Sequence, residues 1–524
     1  MFKIFRKFVI VTVITQLVGC AAESEIAMLE SQESEQTELE SLEFEQTTAE
    51  RGQSGTLKIH THSEIRARLT EVQRRARVPM SVGPLIQNGR NRGLINIDRR
   101  LPRDLPVNHE VCGRRGNPSI REAVACTVPA GERGNRNPDL VGYSTQGREI
   151  LAVRMGNPSG FRVAYWTQQH GNEVASTEAM LNVIDTLAEG RQPWVKEALK
   201  KLDILIVVRA NPDGSEIGRG CQTPPFAVGS VMGYDDCALT RYTVDPAAGG
   251  GFRFDSEPGF FGVVGRGYDM NRYHHPDLRG AIRPVEVQTL TAAMLAFRPQ
   301  MILDLHGDIG KVDCTIDPST IAPNPLLGGL PIARCVEDEH DHVVQFSMLT
   351  GRQPDGSVEQ RRRRKLGANI IDRVEDEGLG RGLRMTQIAV GGGVIADSEP
   401  YTALGMHQLA WETPNRSSVG LAVLGVSGGR RQVGLNSDTG FDPEIVRHSI
   451  TVNMQAIAES LRSLAEFTAR NPQDDGGYCQ VPIASGLYDT LPEFFFGPNP
   501  HSEEPALIPL LPGIVPFQYF DDCQ

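Results

Sequence analysis

Residues 162–173 read Arg162-Val163-Ala164-Tyr165-Trp166-Thr167-Gln168-Gln169-His170-Gly171-Asn172-Glu173, and the fold is decided by how this stretch is read. Its first half, Arg162–Thr167, is β-branched and aromatic, the composition of a strand. The turn residues Gly156-Asn157-Pro158-Ser159-Gly160 separate it from a second expected strand, Glu149–Arg154. Its second half is polar, and beyond it Ser176–Leu187 has helical spacing, with Ala179, Met180, Val183, Ile184 and Leu187 on one face. Working outward, Leu202–Val208 is a continuous apolar run suited to a buried central strand. Pro284–Phe297 has the pattern of a helix with proline at its start. Met301–Leu305 and Gln408–Trp411 read as further buried strands, and Glu444–Phe467 as a long closing helix. Strands alternating with helices predict an α/β fold with a mixed, mostly parallel twisted sheet and helices on both faces. In such sheets ligands collect at the carboxyl ends of the strands.

The composition is that of an ordinary folded protein. Of 524 residues, 40% are hydrophobic and 23% charged, which excludes a polytopic membrane protein, a coiled coil and a wholly disordered chain. The net charge of −12 argues against a dedicated nucleic-acid partner. Most of that charge is local, because residues 21–50 contain ten Glu and no Lys, Arg or Asp.

The chain opens with Lys3, Arg6 and Lys7, followed by an apolar run from Phe8 to Val18, a secretory signal too short to be a stable span. Leu17-Val18-Gly19-Cys20 resembles a bacterial lipobox, which implies acylation of Cys20 and a lipid-anchored place in the cell envelope. Ala21 after the cysteine favours the outer membrane, facing the periplasm. Residues 1–20 are therefore expected to be a signal peptide and 21–55 a flexible acidic tether. Residues 56–135 read as an N-terminal extension with one helical stretch near Glu64–Arg77, 136–470 as the main domain and 471–524 as a C-terminal extension tied by a disulfide. Apart from Cys20, eight cysteines remain, an even count suited to disulfides in an oxidising compartment. Their near-neighbour grouping predicts 112–126, 221–237, 314–335 and 479–523.

Three strand ends terminate in groups able to bind a metal. His170 and Glu173 follow the first strand, His306 ends Met301–Leu305, and Glu412 ends Gln408–Trp411. A catalytic zinc needs three protein ligands and an open position for water. Two ligands three apart in a strand-to-helix turn plus one distant His meet that need, and a carboxylate on a neighbouring strand is placed to take the water's proton.

At this point the chain resembles the zinc metallocarboxypeptidases of the carboxypeptidase A/B type, over roughly Pro138 to Ala469. Six blocks occur in that family's order: Tyr143-Ser144-Thr145-Gln146-Gly147-Arg148, His170-Gly171-Asn172-Glu173, Asn211-Pro212-Asp213-Gly214, Asp269-Met270-Asn271-Arg272, Leu303-Asp304-Leu305-His306-Gly307 and Leu409-Ala410-Trp411-Glu412-Thr413. The resemblance implies Zn2+ bound by His170, Glu173 and His306, with Glu412 as general base and later general acid. It implies that Asn271 and Arg272 hold a substrate's terminal carboxylate, a task suited to a guanidinium fork. Asp269 would orient a ligand imidazole. An upstream arginine would stabilise the oxyanion; Arg253 fits by order, with Arg266 as the alternative. The implied activity is removal of C-terminal residues from peptides by a monomer, with murein-peptide cleavage or a catalytically inactive binding lipoprotein as the alternatives.

One departure stands out. The family's capping Tyr would fall near Ala389 or Val390, where the sequence reads Ile388-Ala389-Val390-Gly391-Gly392-Gly393. Several other motifs have plainer explanations. Gly425-Val426-Ser427-Gly428-Gly429 matches a nucleophile elbow, but too few residues separate Ser427 from His448 to deliver an acid between them. Glu337–His342 reads as a solvated acidic face, and Arg361–Lys365 as a helix surface or lipid-headgroup contact. His274-His275 either shapes the pocket or caps a loop.

Overall fold

In a computed structural model of the chain, the described residues are 59–87, 93–101, 118–126, 137–216 except Asn172, 284–307, 404–413 and 443–467, with shorter pieces between 243 and 401. The chain divides into two units, Met1–Lys58 and Ile59–Gln524, and the described residues all belong to the second. The signal segment, Cys20 and the acidic tether lie outside them.

The first helix, α1 (His62–Arg75), starts at a reciprocal cap: the Thr61 hydroxyl accepts from the Glu64 amide, and the Glu64 carboxylate accepts from the Thr61 amide. Ile65, Leu69 and Val72 form its buried stripe. The chain then forms β1 (Met80–Pro84) and, further on, α2 (Ile120–Cys126). After α2 come β2 (Leu151–Gly156), β3 (Phe161–Thr167), α3 (Val174–Glu189), α4 (Pro193–Lys201) and β4 (Leu202–Val207). The second half contributes α5 (Val285–Phe297), β5 (Met301–Gly307), β6 (Ser347–Leu349), β7 (Thr386–Ile388), β8 (His407–Thr413) and α6 (Pro443–Phe467). Three further two-stranded ladders of two-residue strands occur among the described residues.

One eight-stranded sheet runs β1-β2-β4-β3-β5-β8-β6-β7. Its centre, β4-β3-β5-β8, is parallel, whereas β1/β2, β2/β4 and β6/β8 are antiparallel. This is the mixed α/β sheet the sequence predicts, with one difference in connectivity. β2 and β3, separated only by the Asn157–Gly160 turn, are not paired; β4 inserts between them, antiparallel to β2 and parallel to β3. The reason lies in β4 itself, Leu202-Asp203-Ile204-Leu205-Ile206-Val207, which is buried throughout and needs a neighbour on each side. Its one charge, Asp203, is met by a bidentate Arg154 at 2.7 and 2.9 Å.

Strand alternation splits the layers. Ala164 and Trp166 join a core cluster with residues of α2 and α5, while the Tyr165 hydroxyl lies 2.7 Å from Ser460 on α6. α5 is buried along its whole length, Glu286, Gln288, Thr289 and Thr291 included, so its sequence shows no single apolar stripe. β1 extends the sheet from the N-terminal side, pairing Met80 with Met155 through to Pro84 with Leu151. α1 is bound to α3 through Arg68 and Arg75, which share the Asp185 carboxylate at 2.8 Å each. α3 ends at Gly190 (φ 62°), where a Cβ would stand 2.4 Å from the Val78 side chain, so both the left-handed turn and the close approach require glycine.

Candidate metal centre

The carboxyl ends of β3, β5 and β8 lie side by side. Thr167 is in register with Leu305, and His306 with Glu412. His306 sits in the last regular turn of its pleat, whereas His170 and Glu173 lie beyond β3, on a loop that feeds α3.

That loop needs bracing because its backbone leaves the strand abruptly. Gln168 adopts φ 55°, in the left-handed region that a non-glycine residue seldom enters. Its side-chain amide donates to the Gly171 carbonyl at 2.7 Å and accepts from the Thr177 hydroxyl at 2.7 Å and from Arg209 Nε at 2.8 Å. The exit of β4 adds two backbone bonds, Ala210 N to Thr167 O and Asn211 N to Gln168 O, at 2.9 and 3.1 Å. Arg209 is fully buried, and burial lowers its guanidinium to about 10 despite the opposing pull of Glu178 and Glu216. Behind it, Asp213 accepts from the Ser144 hydroxyl and the Gln146 amide at 2.6 and 2.7 Å, so the Tyr143–Arg148 segment and the Asn211–Gly214 turn are locked together.

The three expected ligands converge. His170 Nδ1 is 2.5 Å from Glu173 Oε1, His306 Nδ1 is 3.1 Å from Glu173 Oε2, and the two Nδ1 atoms are 3.2 Å apart. All three side chains are buried and form the one group of potential metal ligands found among the described residues. Two donors each about 2.0–2.1 Å from a tetrahedral ion stand roughly 3.3 Å apart, so two of these three separations suit zinc directly. Burial pushes the Glu173 carboxyl up, but the His170 and His306 imidazoles outweigh it and bring the group down to about 2. Asp304, also fully buried, approaches His306 Nε2 to 2.9 Å. Two buried carboxylates beside two imidazoles make a donor set whose charge a divalent cation offsets.

The remaining expected site residues are placed less completely. Glu412 is the register partner of His306 by its backbone. Asn271 is buried in the short turn Met270–Arg272, which also carries the backbone of Arg272. Asp269, Arg253 and Arg266 lie outside the described residues, as do Ala389 to Gly393, Ser427, Glu337–His342 and Arg361–Lys365. The same holds for the paired cysteines except for two backbones: Cys126 ends α2, and Cys335 stands opposite Ile316 in a two-residue ladder.

Two contributors were not anticipated. Asp304 contacts the His306 imidazole, and its signal was present in the strand Met301–Gly307, where a lone carboxylate two residues before the His shares its face. Gln169 has no such signal: its amide donates to Asp304 Oδ2 at 2.5 Å and accepts at the other end from His274 at 2.7 Å.

The family model described as zinc carboxypeptidase matches residues 134–282. Relatives include a probable carboxypeptidase 2 of Arthroderma benhamiae and carboxypeptidase 2 of Trichophyton rubrum, each 43% identical over 60 residues and covering 11% of either chain. The chain thus spans about a tenth of the length of the curated relatives it matches. Solved structures that resemble it include carboxypeptidase A from Helicoverpa armigera (13% identity, 82% of each chain, TM-score 0.41) and a metallo-carboxypeptidase from Pseudomonas aeruginosa (18% identity, 63% of each chain, TM-score 0.34). His170 and Glu173 fall inside the matched span, and His306 and Glu412 beyond it. Zinc is the ion in that family's description, and the donor set suits it. Over residues 134–282, the chain is similar to the zinc carboxypeptidases.

Proposed function

We propose that the protein is a zinc-dependent metallocarboxypeptidase that hydrolyses C-terminal residues from peptides. The observation that carries this reading is the convergence of His170, Glu173 and His306 on one point, with the Glu412 backbone in register beside His306. The ion held there supplies Lewis acidity toward a water and a scissile carbonyl. Glu412 removes the proton from the attacking water and returns it to the leaving amine. Asn271 and Arg272 hold the substrate's terminal carboxylate, which restricts cleavage to the last peptide bond, and Arg253 meets the developing oxyanion. Asp269 steadies a ligand imidazole. The test is zinc content and turnover for wild type and Glu412→Gln. The variant is expected to retain metal while losing about 10³-fold in activity, the scale of acid–base contributions. A variant that retains turnover sinks the assignment.

The leader with its Leu17-Val18-Gly19-Cys20 box favours a second substrate, the peptide stems of murein, because an envelope-anchored enzyme meets them. Assay of the purified protein on muropeptides beside ordinary peptides separates the two. Incorporation of labelled fatty acid by wild type, lost in Cys20→Ser, tests the anchor.

A further inference from the structure

Beneath the metal ligands a line of buried polar side chains runs away from His306. His306 Nε2 lies 2.9 Å from Asp304 Oδ2, and the Gln169 amide nitrogen lies 2.5 Å from the same oxygen. Gln169 Oε1 lies 2.7 Å from His274 Nε2, and His274 Nδ1 lies 2.9 Å from the Tyr401 hydroxyl, itself 3.2 Å from the Thr291 hydroxyl. All six side chains are buried. They come from β5, the β3 exit, the segment after the Met270–Arg272 turn, the lead-in to β8, and α5.

The amide gives the line a single direction. Gln169 presents its NH2 end to Asp304 Oδ2, which accepts from it. Its oxygen then faces His274, which obliges Nε2 of that ring to carry the proton. Nδ1 is left bare and accepts from the Tyr401 hydroxyl, whose oxygen in turn can accept from Thr291. At the near end the contact is electrostatic: with Asp304 Oδ2 2.9 Å from His306 Nε2, the carboxylate favours the tautomer protonated on Nε2, leaving Nδ1 as the lone-pair atom that faces His170 and Glu173. Each ring is also held by packing: His274 stacks on Trp166 with centroids 5.7 Å apart at 16°, and Tyr401 meets the same indole at 5.8 Å. Burial raises the Tyr401 hydroxyl well above its ordinary value, which keeps it a donor.

We propose that Asp304, Gln169, His274 and Tyr401 act as one positioning relay that fixes the tautomer and ring orientation of His306 for zinc. The inference rests on His306 being a zinc ligand and assigns the relay residues no contact with substrate. Partners of this kind behind a metal-bound imidazole are typically worth 10–100-fold in metal affinity.

The test measures zinc affinity of the full chain by chelator competition, with circular dichroism to check the fold. Gln169→Leu, which keeps volume and removes both bonds, is expected to weaken binding about 10–100-fold. Tyr401→Phe, which keeps the ring against Trp166, is expected to weaken it several-fold. In the double variant the Tyr401→Phe loss disappears, because the path to Asp304 is already cut; a purely structural role for either residue would give independent losses. An additive double variant, or wild-type affinity in Tyr401→Phe, overturns the relay. Should Gln169→Leu fail to fold, Tyr401→Phe alone carries the test by the same criterion. A wild-type chain that binds no zinc sinks the metallopeptidase reading itself, and is distinguishable from variants that bind as tightly as a zinc-binding wild type.

Discussion

The two approaches to the metal centre are built differently. The β5 approach is regular: Met301–Gly307 is a buried strand with parallel neighbours on both sides, and pleat alone brings Asp304 and His306 to one face. The β3 approach is irregular. Past Thr167 the backbone turns through a left-handed glutamine, and the ligands are held by side chains of Gln168, Thr177 and Arg209 rather than by a ladder. A ligand on a strand inherits its position from the sheet, whereas a ligand on a loop depends on its braces. Sensitivity of backbone placement, as distinct from the ring orientation of His306, should therefore concentrate on the β3 side.

The largest effect erases the contrast. His170→Ala and His306→Ala each remove a ligand, and both are expected to lose stoichiometric zinc and at least about 10³-fold in kcat/KM, since the ion supplies several kcal/mol of transition-state stabilisation. Metal analysis with peptidase assay checks this, and a His306→Ala protein that retains tight zinc would show that the regular side is dispensable. Next in size, Gln168→Ala leaves the Arg209 Nε donor buried without its acceptor. It should cost about 1–3 kcal/mol of stability and weaken zinc about 10–100-fold. The matching change on the other side, Leu305→Ile, should cost less than about 1.5 kcal/mol and leave zinc affinity unaltered. Equal losses from the two, by chelator competition and thermal melts, would end the distinction between braced loop and regular strand.

A pH titration reads the deeper brace, away from the metal centre. Glu286, buried at the start of α5, accepts from the Thr145 amide at 2.8 Å, and its other oxygen is without a hydrogen-bond partner. Burial, reinforced by Asp213, raises its carboxyl to about 8. Because the folded-state value lies above the unfolded one, this group's contribution is complete below about pH 4.5 and is lost as pH climbs toward 8. The slope is on the order of 1 kcal/mol per pH unit. Urea titrations across that window should show Glu286→Gln losing less stability than wild type as pH rises; parallel curves would remove Glu286 from the brace.

The same contrast explains what the sequence disclosed. β4 and β5 were legible because full burial demands nearly continuous apolar runs, and the grouping of His170, Glu173 and His306 because a His or Glu just past such a run is conspicuous. The order β2-β4-β3 was not legible, since a short turn between two strands reads as a hairpin and only the insertion of β4 says otherwise. Gln168 and Gln169 were equally silent: their roles depend on a left-handed backbone angle and on partners 41 and 105 residues away, which no local pattern encodes. Asp304 lay between, visible as a lone charge in an apolar strand, but with its partner set only by the pleat.

Where a shortened version of this chain could begin follows from β1. Trimming to residue 134, where the family resemblance starts, would strip β2 of its outer neighbour along Leu151–Met155 and remove Leu85, Ile86, Ile95, Ile97, Leu101 and Ile120 from the cluster around Trp166. A bare strand margin beside a gutted interior invites copies to zip together. Recombinant truncations that stay in solution should keep everything from residue 59 onward.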